Sequence, residues 1–369
     1  SQVLNLVTFV VTQLAMGITV LIARYLGEKK EEQIGSIIGG GTVVFAAISL
    51  VLFVIMVGFA RPIAVLMQAP EEAVGLTAAY IRICGAGIFF IVAYNVLSAI
   101  FRGLGDSNSP LLFVFVACIV NVVGDLVLVA GLGMDAMGAA LATVFAQALS
   151  VVFAIVRLVK KGLPFTITGY DFRWNPQCGK FLQIGLPLAL QECLTQGSFL
   201  ALCAFVNRLG LEASSGYGVA CKIVNFAMLI PGALMQSTSS FVSQNVGAGE
   251  QKRAKKTMFT GIGIGLLVGC FAFSLVFFRG DLLAGIFSAD AAVVQRGYEY
   301  LKGFAPETLL TAVLFSMMGY FNGNGKTVWV MLQGLIQTLL VRLPFAYYMS
   351  IQPDASLTNI GLAAPISTA

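Results

Sequence analysis

Histidine is absent from the 369 residues, and charged residues make up only 11% of them. The first absence removes the commonest metal ligand and the usual general base, so it disfavours an enzyme. The second excludes a soluble domain, in which about a quarter of the residues carry charge. The seven cysteines form no CxxC pair and lie mostly in apolar runs, so we interpret them as structural.

Apolar residues make up 58% of the chain, and the mean hydropathy is +0.90. Most of the uncharged runs approach or exceed the ~20 residues that an α-helix needs to cross a bilayer. They do not alternate as the strands of a membrane barrel do. We therefore predict an all-α polytopic membrane protein. The predicted segments are 1–24, 33–60, 74–101, 108–131, 136–158, 179–207, 212–246, 256–278, 295–321, 327–349 and a partial one from about 358.

The net charge of +5 does not point to a nucleic acid, because basic residues are expected beside membrane spans. Most of the 22 Lys and Arg residues fall on loops of one side when alternate loops are assigned to opposite sides. The positive-inside rule makes that side cytoplasmic. We expect a multi-pass protein of a prokaryotic plasma membrane that binds no nucleic acid.

Two stretches 220 positions apart are similar in sequence. One is YIRICGAGIFFIVAYNVLSAIFRGLGD (80–106), and the other is YLKGFAPETLLTAVLFSMMGYFNGNGK (300–326). The Tyr, the Phe and both turn glycines recur in register, while Gly87 stands where the second copy has Glu307. Copies separated by an even number of spans face the same way across the membrane, so we predict a parallel repeat of two six-helix bundles.

The repeat predicts the organisation of the chain. We expect an N-lobe at 1–160 (spans 2–6), a cytoplasmic linker at 161–178 and a C-lobe at 179–369 (spans 7–12). Matching the halves also predicts a fragment that lacks span 1, part of span 2 and part of span 12.

Several motifs in this layout resemble the multidrug and toxic compound extrusion (MATE) family. They are ARYLGEKKEE and its copy SQNVGAGEQKRAKK, the turns FRGLGDS and FNGNGKT, NVVGD (121–125), GAALAT (138–143) and IGLPLALQ (184–191). The resemblance implies two lobes around a central cavity, with a rocking alternating-access cycle. It implies export of organic, often cationic, small molecules in exchange for Na⁺ or H⁺, and no cofactor besides the coupling ion. We expect a monomer that contacts membrane lipids.

The resemblance also implies a coupling site in the N-lobe, at Asn121, Asp125 and Thr143. Asn121 and Asp125 are one helical turn apart, so both project from one face and could share a cation such as Na⁺ through oxygen ligands. The alternative is a hydrogen-bonded pair between helices. The acidic residue on span 1 that completes the family's site would precede the given sequence.

Glu192 and Glu307 are the candidates for a coupling or substrate site in the C-lobe. A carboxylate within a span usually faces a bundle interior or water and marks an ion pathway. Glu307 follows Pro306, which kinks a helix and leaves a carbonyl free to join a cation site. The alternative for Glu307 is an ion pair with Lys302 or Arg342, and for Glu192 it is a protonated side chain bonded to a neighbouring helix.

The sequence favours two other functions less. A lipid-linked oligosaccharide flippase would share the two-bundle plan but would favour a cavity lined by several Arg or Lys, and the spans hold few. A membrane-embedded enzyme would need a cluster such as HExxH, which a chain without histidine cannot supply.

Overall fold

The computed structural model describes residues 2–66, 71–160, 166–353 and 355–369, without the side chains of Gln2 and Leu66, and these residues form helices and no strand. Residues 161–165 of the predicted linker lie outside the described part. The helices are α1 (Gln2–Gly27), α2 (Glu32–Gly58), α3 (Ala60–Leu66), α4 (Val74–Ala86), α5 (Ile88–Gly103), α6 (Asn108–Asp125), α7 (Asp135–Lys160), α8 (Pro176–Asn207), α9 (Leu211–Gly247), α10 (Gln251–Gly285), α11 (Ala291–Phe304), α12 (Glu307–Gly323), α13 (Thr327–Leu335), α14 (Leu343–Ser350), α15 (Leu357–Gly361) and α16 (Ala363–Thr368).

Most of the predicted spans appear as long apolar helices. Within the described ranges, eight helices are long and apolar enough to cross a membrane, or up to ten if each of two bent pairs is one span. Large apolar side chains such as Leu111, Phe115 and Phe271 are exposed on them, as lipid-facing residues are. The last predicted segment forms the two short helices α15 and α16. The prediction of an all-α polytopic membrane protein is confirmed.

The chain divides into two compact units, Ser1–Ala189 and Leu190–Ala369, and the division falls within α8. Each unit has its own hydrophobic core. In the first unit, the rings of Phe101 and Phe113 meet edge to face at 5.2 Å between centroids. In the second unit, Tyr217 and Tyr300 meet in the same way at 5.0 Å. Each unit therefore buries its own apolar side chains, as a bundle must.

The two units repeat their close helix contacts as well as their sequence. In the first, a Cβ placed on Gly103 would lie 2.9 Å from Cβ of Ile22. In the second, a Cβ on Gly323 would lie 2.6 Å from the Ser239 carbonyl oxygen and 2.7 Å from Cβ of Val242. Gly323 and Val242 stand 220 positions after Gly103 and Ile22. The turn glycines are therefore conserved between the halves because small residues let two helices approach closely.

Replacement of Gly323 by alanine is expected to destabilise the second unit by about 1–3 kcal/mol, because the new methyl group would overlap with the backbone of Ser239. Thermal unfolding of the purified protein in detergent measures the change. Gly263, in α10, is the matched control, since nothing lies within 4 Å of its added Cβ. Gly263→Ala should be neutral or slightly stabilising, because alanine is the better helix former. Equal unfolding temperatures for the two variants would contradict the close contact.

One span in each unit is bent at the same position of the repeat. The segments Glu71–Ala86 and Ile88–Gly103 meet at 51°, and Ala291–Phe304 and Glu307–Gly323 meet at 49°. The first bend lies at Gly87, where a Cβ would overlap with Val144. The second lies at Pro306, where the sequence predicts a kink. Because α12 begins directly after the second bend, Glu307 is its first residue and lies buried inside the second unit.

The described part of the linker is fixed against α2. The Asp171 carboxylate accepts hydrogen bonds from Ser36 Oγ at 2.7 Å, from the Thr168 backbone N–H at 2.8 Å and from Thr168 Oγ1 at 2.9 Å. Asn175 Nδ2 donates to the Ser36 carbonyl at 2.8 Å. The linker backbone at Asp171 lies so close to Gly39 that a Cβ there would overlap with it. We call residues 166–175 the docked linker.

The hydrogen bond from the Thr168 backbone, with that from Ser36, lowers the pKa of Asp171. A carboxyl whose pKa is lower in the folded protein than in the unfolded protein stabilises the fold at pH values above its unfolded pKa. This stabilisation is lost as the pH falls through the folded pKa. In a Trp329→Phe variant, we expect the fluorescence emission of Trp174 to stay constant from neutral pH down to about pH 4. Below about pH 4 we expect the emission to change. In Asp171→Asn the step should vanish. A step centred well above pH 4 would contradict this role for Asp171.

Candidate functional sites

Two of the three predicted residues of the first unit, Asn121 and Thr143, meet where α6 and α7 approach closely. A Cβ on Gly124 would lie 2.9 Å from Cβ of Ala142. At this contact, Asn121 Nδ2 donates to Thr143 Oγ1 at 3.3 Å. Thr143 Oγ1 donates its own proton to the Ala139 carbonyl at 2.9 Å. The structure thus contains a hydrogen-bonded pair between two helices, in which the amide of Asn121 and the hydroxyl of Thr143 orient one another.

Asp125 ends α6, one turn after Asn121, and its Oδ1 atom is buried with no hydrogen-bond partner among the described residues. The helix continues as the π-helical segment Leu126–Gly131. Such segments are frequent at functional sites. A buried carboxylate oxygen without a partner is costly, so a bound proton or cation would stabilise it. Carboxylate, amide and hydroxyl oxygens are suitable ligands for a hard cation.

Glu307 of the second unit is buried and pairs with Arg342. Its Oε1 lies 3.8 Å from Arg342 Nη2 and accepts a hydrogen bond from Thr368 Oγ1 at 2.9 Å. Its Oε2 is buried without a partner among the described residues. Lys302, the other predicted partner, has its ammonium 4.3 Å from the centre of the Tyr298 ring. Among the described residues, Glu307 therefore pairs with Arg342 and not with Lys302.

A line of polar side chains extends from this pair. Gln333 Nε2 donates to Gln337 Oε1 at 2.8 Å, and Gln337 Nε2 donates to Thr368 Oγ1 at 2.7 Å. Thr368 then donates to Glu307, so four side chains form one hydrogen-bonded chain. Ser367 accepts from Arg342 Nε at 3.3 Å. Gln337 and Arg342 lie on the π-helical segment Ile336–Arg342.

Glu192 lies apart from this cluster. It is partly buried on α8, and its Oε1 accepts a hydrogen bond from Gln196 Nε2 at 2.8 Å, one turn away on the same helix. In the part of the chain that the structure describes, no hydrogen bond or ion pair joins Glu192 to Glu307. The two acids predicted for the C-lobe therefore have separate surroundings.

Sequence reasoning named Arg342 as a partner but missed Thr368, Ser367, Gln333 and Gln337. One signal could have found the two glutamines, because amides four residues apart on an apolar span face one side of the helix. Thr368 and Ser367 gave no such signal, since they lie in a short terminal helix whose neighbours depend on the tertiary fold.

Comparisons with known proteins give consistent results. The sequence model of the family described as MatE matches residues 1–127 and 187–348. The probable multidrug resistance protein YpnP of Bacillus subtilis (strain 168) is 27% identical over 286 residues, which are 77% of this chain and 64% of that protein. The multidrug export protein MepA of Staphylococcus aureus (strain NCTC 8325 / PS 47) is 26% identical over 332 residues, 87% of this chain and 72% of that protein.

Solved structures share the fold. One is a multidrug resistance transporter in an outward-facing conformation, with a TM-score of 0.93, 21% identity, and coverage of 99% of this chain and 82% of that one. Another is a MOP superfamily transporter from Pyrococcus furiosus Vc1 (DSM3638), with a TM-score of 0.93, 22% identity and the same coverage. At these identities the likeness shows the fold alone.

Proposed function

Because this chain belongs to the MatE family of multidrug and toxic compound extrusion transporters, we propose that it exports organic, often cationic, small molecules in exchange for Na⁺ or H⁺. Members of the family are transporters and not enzymes. The chain is an integral multi-pass protein of the plasma membrane, as the sequence predicts, and the relatives named above are bacterial. The coupling ion, the exported compounds and the mechanism are parts of the proposal.

The observation that carries the proposal is the buried Asp125 oxygen, which has no hydrogen-bond partner among the described residues and lies one helical turn after Asn121. Exchange requires a group that binds the driving ion in one state and releases it in another. A carboxylate held in an apolar span without a cationic partner is suited to this, because a proton or Na⁺ completes its coordination. In the second unit, by contrast, Arg342 already balances Glu307. We therefore place coupling at Asn121, Asp125 and Thr143.

In this proposal, transport proceeds by alternating access. The driving cation and the organic compound bind in turn, and rocking of the two bundles exposes them to opposite sides of the membrane. Glu192 and the Glu307 cluster would contact or position the organic compound in the C-lobe. The working unit is a monomer surrounded by lipid.

Transport across a liposome membrane tests the proposal. Proteoliposomes loaded with a fluorescent cationic dye are placed in a Na⁺ gradient or a H⁺ gradient, each applied alone. We expect dye movement under one gradient and none in protein-free liposomes. No dye movement under either gradient would overturn the proposed function, and movement under one of them would identify the coupling ion.

A further inference from the structure

We propose that the docked linker, residues 166–175, binds the anionic phospholipid headgroups of the cytoplasmic leaflet. The linker joins α7, which ends at Lys160, to α8, which begins at Pro176. Both helices are candidate membrane spans. The docked linker therefore lies where the chain leaves and re-enters the membrane, which is the level of the lipid headgroups. The positive-inside rule makes this side cytoplasmic.

Three aromatic side chains project from the docked linker. Tyr170 is 80% exposed, Trp174 is 66% exposed and Phe172 is 49% exposed. The linker contacts Ser36 and Gly39 of α2 through Asp171 and Asn175, so these rings lie on a segment that is held in place. Large aromatic rings exposed to water are unfavourable, whereas at the headgroup level their amphipathic rings are stabilised. The linker is thus a preformed surface for the membrane interface.

The exposed charged side chains of the docked linker and of the end of α7 are positive. Arg173 lies between Phe172 and Trp174 in the sequence and is exposed, and its charge also acts on the carboxyl of Asp171. Lys160 is exposed at the end of α7. The nearby acid, Asp171, is turned inward, where Ser36 and Thr168 occupy its oxygens. The outward surface therefore complements a negative headgroup.

A cavity of about 380 Å³ at the end of α7 adds a place for the lipid. It is lined by Phe153 and Val156, which are apolar, and by Arg157 and Lys160, which are basic. The Arg157 Nε atom is oriented by Ser109 Oγ at 2.7 Å. Two cationic side chains beside an apolar surface suit a phospholipid at the point where its phosphodiester joins its acyl chains. All four lining residues belong to α7, so this is a basic surface of one helix at the cytoplasmic end, and such surfaces attract anionic headgroups.

Tryptophan fluorescence tests the proposal, because the chain has only two tryptophans. In the Trp329→Phe variant, Trp174 is the single reporter. The protein is placed in nanodiscs, and quenching is measured with phosphatidylglycerol or phosphatidylcholine spin-labelled near the headgroup, each at the same mole fraction. We expect both to quench Trp174 and the phosphatidylglycerol to associate more tightly. Arg173→Gln should lower that preference about fivefold, the contribution of one basic residue near an anionic surface.

The Trp174→Phe variant, which leaves Trp329 as the reporter, is the matched control. Arg173→Gln should not change the lipid preference measured there. Equal quenching of Trp174 by the two lipids would overturn the selectivity for anionic headgroups. Absence of quenching by either lipid, with full quenching by iodide in the water phase, would overturn the membrane contact altogether. Neither result would bear on transport, so this inference fails independently of the proposed function.

Discussion

Replacement of Arg342 by methionine is expected to destabilise the second unit by about 3–5 kcal/mol. The change would leave the buried Glu307 carboxylate without its cationic partner, and one of its oxygens already has none among the described residues. An uncompensated buried charge costs much more than the net contribution of the pair. The measurement is unfolding of the purified protein in detergent, followed by temperature or denaturant.

Two further variants separate the loss of stability caused by an unpaired charge from the loss caused by poorer side-chain packing. Arg342→Met combined with Glu307→Gln should recover most of the lost stability, because both charges are then gone and the glutamine can still accept from Thr368. The control is Arg296→Met, which breaks the exposed pair of Arg296 and Glu299 at 3.0 Å. It should cost less than about 1 kcal/mol. If the double variant is no more stable than Arg342→Met alone, the loss comes from packing and the charge argument is wrong.

Replacement of Asp125 by asparagine is expected to reduce ion-driven dye export at least about tenfold. Asparagine keeps the size of the side chain but cannot take up a proton and holds a cation only weakly. The fold should survive, because Asp125 Oδ1 has no hydrogen-bond partner among the described residues that the change would break. Export from proteoliposomes under the driving gradient measures the effect, with the unfolding temperature as a check on the fold.

Glu307→Gln is the matched variant in the second unit, since it also removes one buried carboxylate without changing the size. This change leaves the buried Arg342 without its partner and alters the cluster proposed to position the compound, so it should lower stability and dye affinity. If coupling lies at Asp125, the export that remains should still depend on the ion gradient. Loss of export in Glu307→Gln but not in Asp125→Asn would move the coupling site to the second unit. Intermediate losses in Asn121→Ala and Thr143→Val would support a shared set of oxygen ligands.

The helices, their repeat and the bend at Pro306 could be predicted because each follows from a local or periodic pattern in the sequence. An apolar run of span length must form a helix in lipid, where every backbone group needs an internal partner. A glycine that recurs 220 positions later indicates a repeated helix contact, and Gly103 and Gly323 make that contact in the structure. The bend at Pro306 follows from the missing N–H of proline. Asn121 and Thr143 could be paired because the resemblance placed them on neighbouring spans.

The surroundings of Glu307 could not be predicted in the same way. The choice of Arg342 over Lys302 depends on how α12, α16 and the π-helical segment Ile336–Arg342 pack, and no local pattern encodes that packing. A π-helical turn changes which side chains face inward, so helical spacing alone misplaces residues that follow it. The resemblance names both Glu192 and Glu307 for the C-lobe, and in the structure Glu192 accepts a hydrogen bond from Gln196 and Glu307 accepts one from Thr368.

The two bent spans differ in the residue that stands at the bend. At Gly87 the backbone keeps its donor, and the Gly87 N–H still bonds to the Ile83 carbonyl at 3.1 Å. At Pro306, which matches Ala86 of the first copy, the ring leaves no N–H to donate. The two repeats therefore reach nearly the same bend by different means, one at a glycine that keeps its backbone hydrogen bond and the other at a proline that has no N–H to donate.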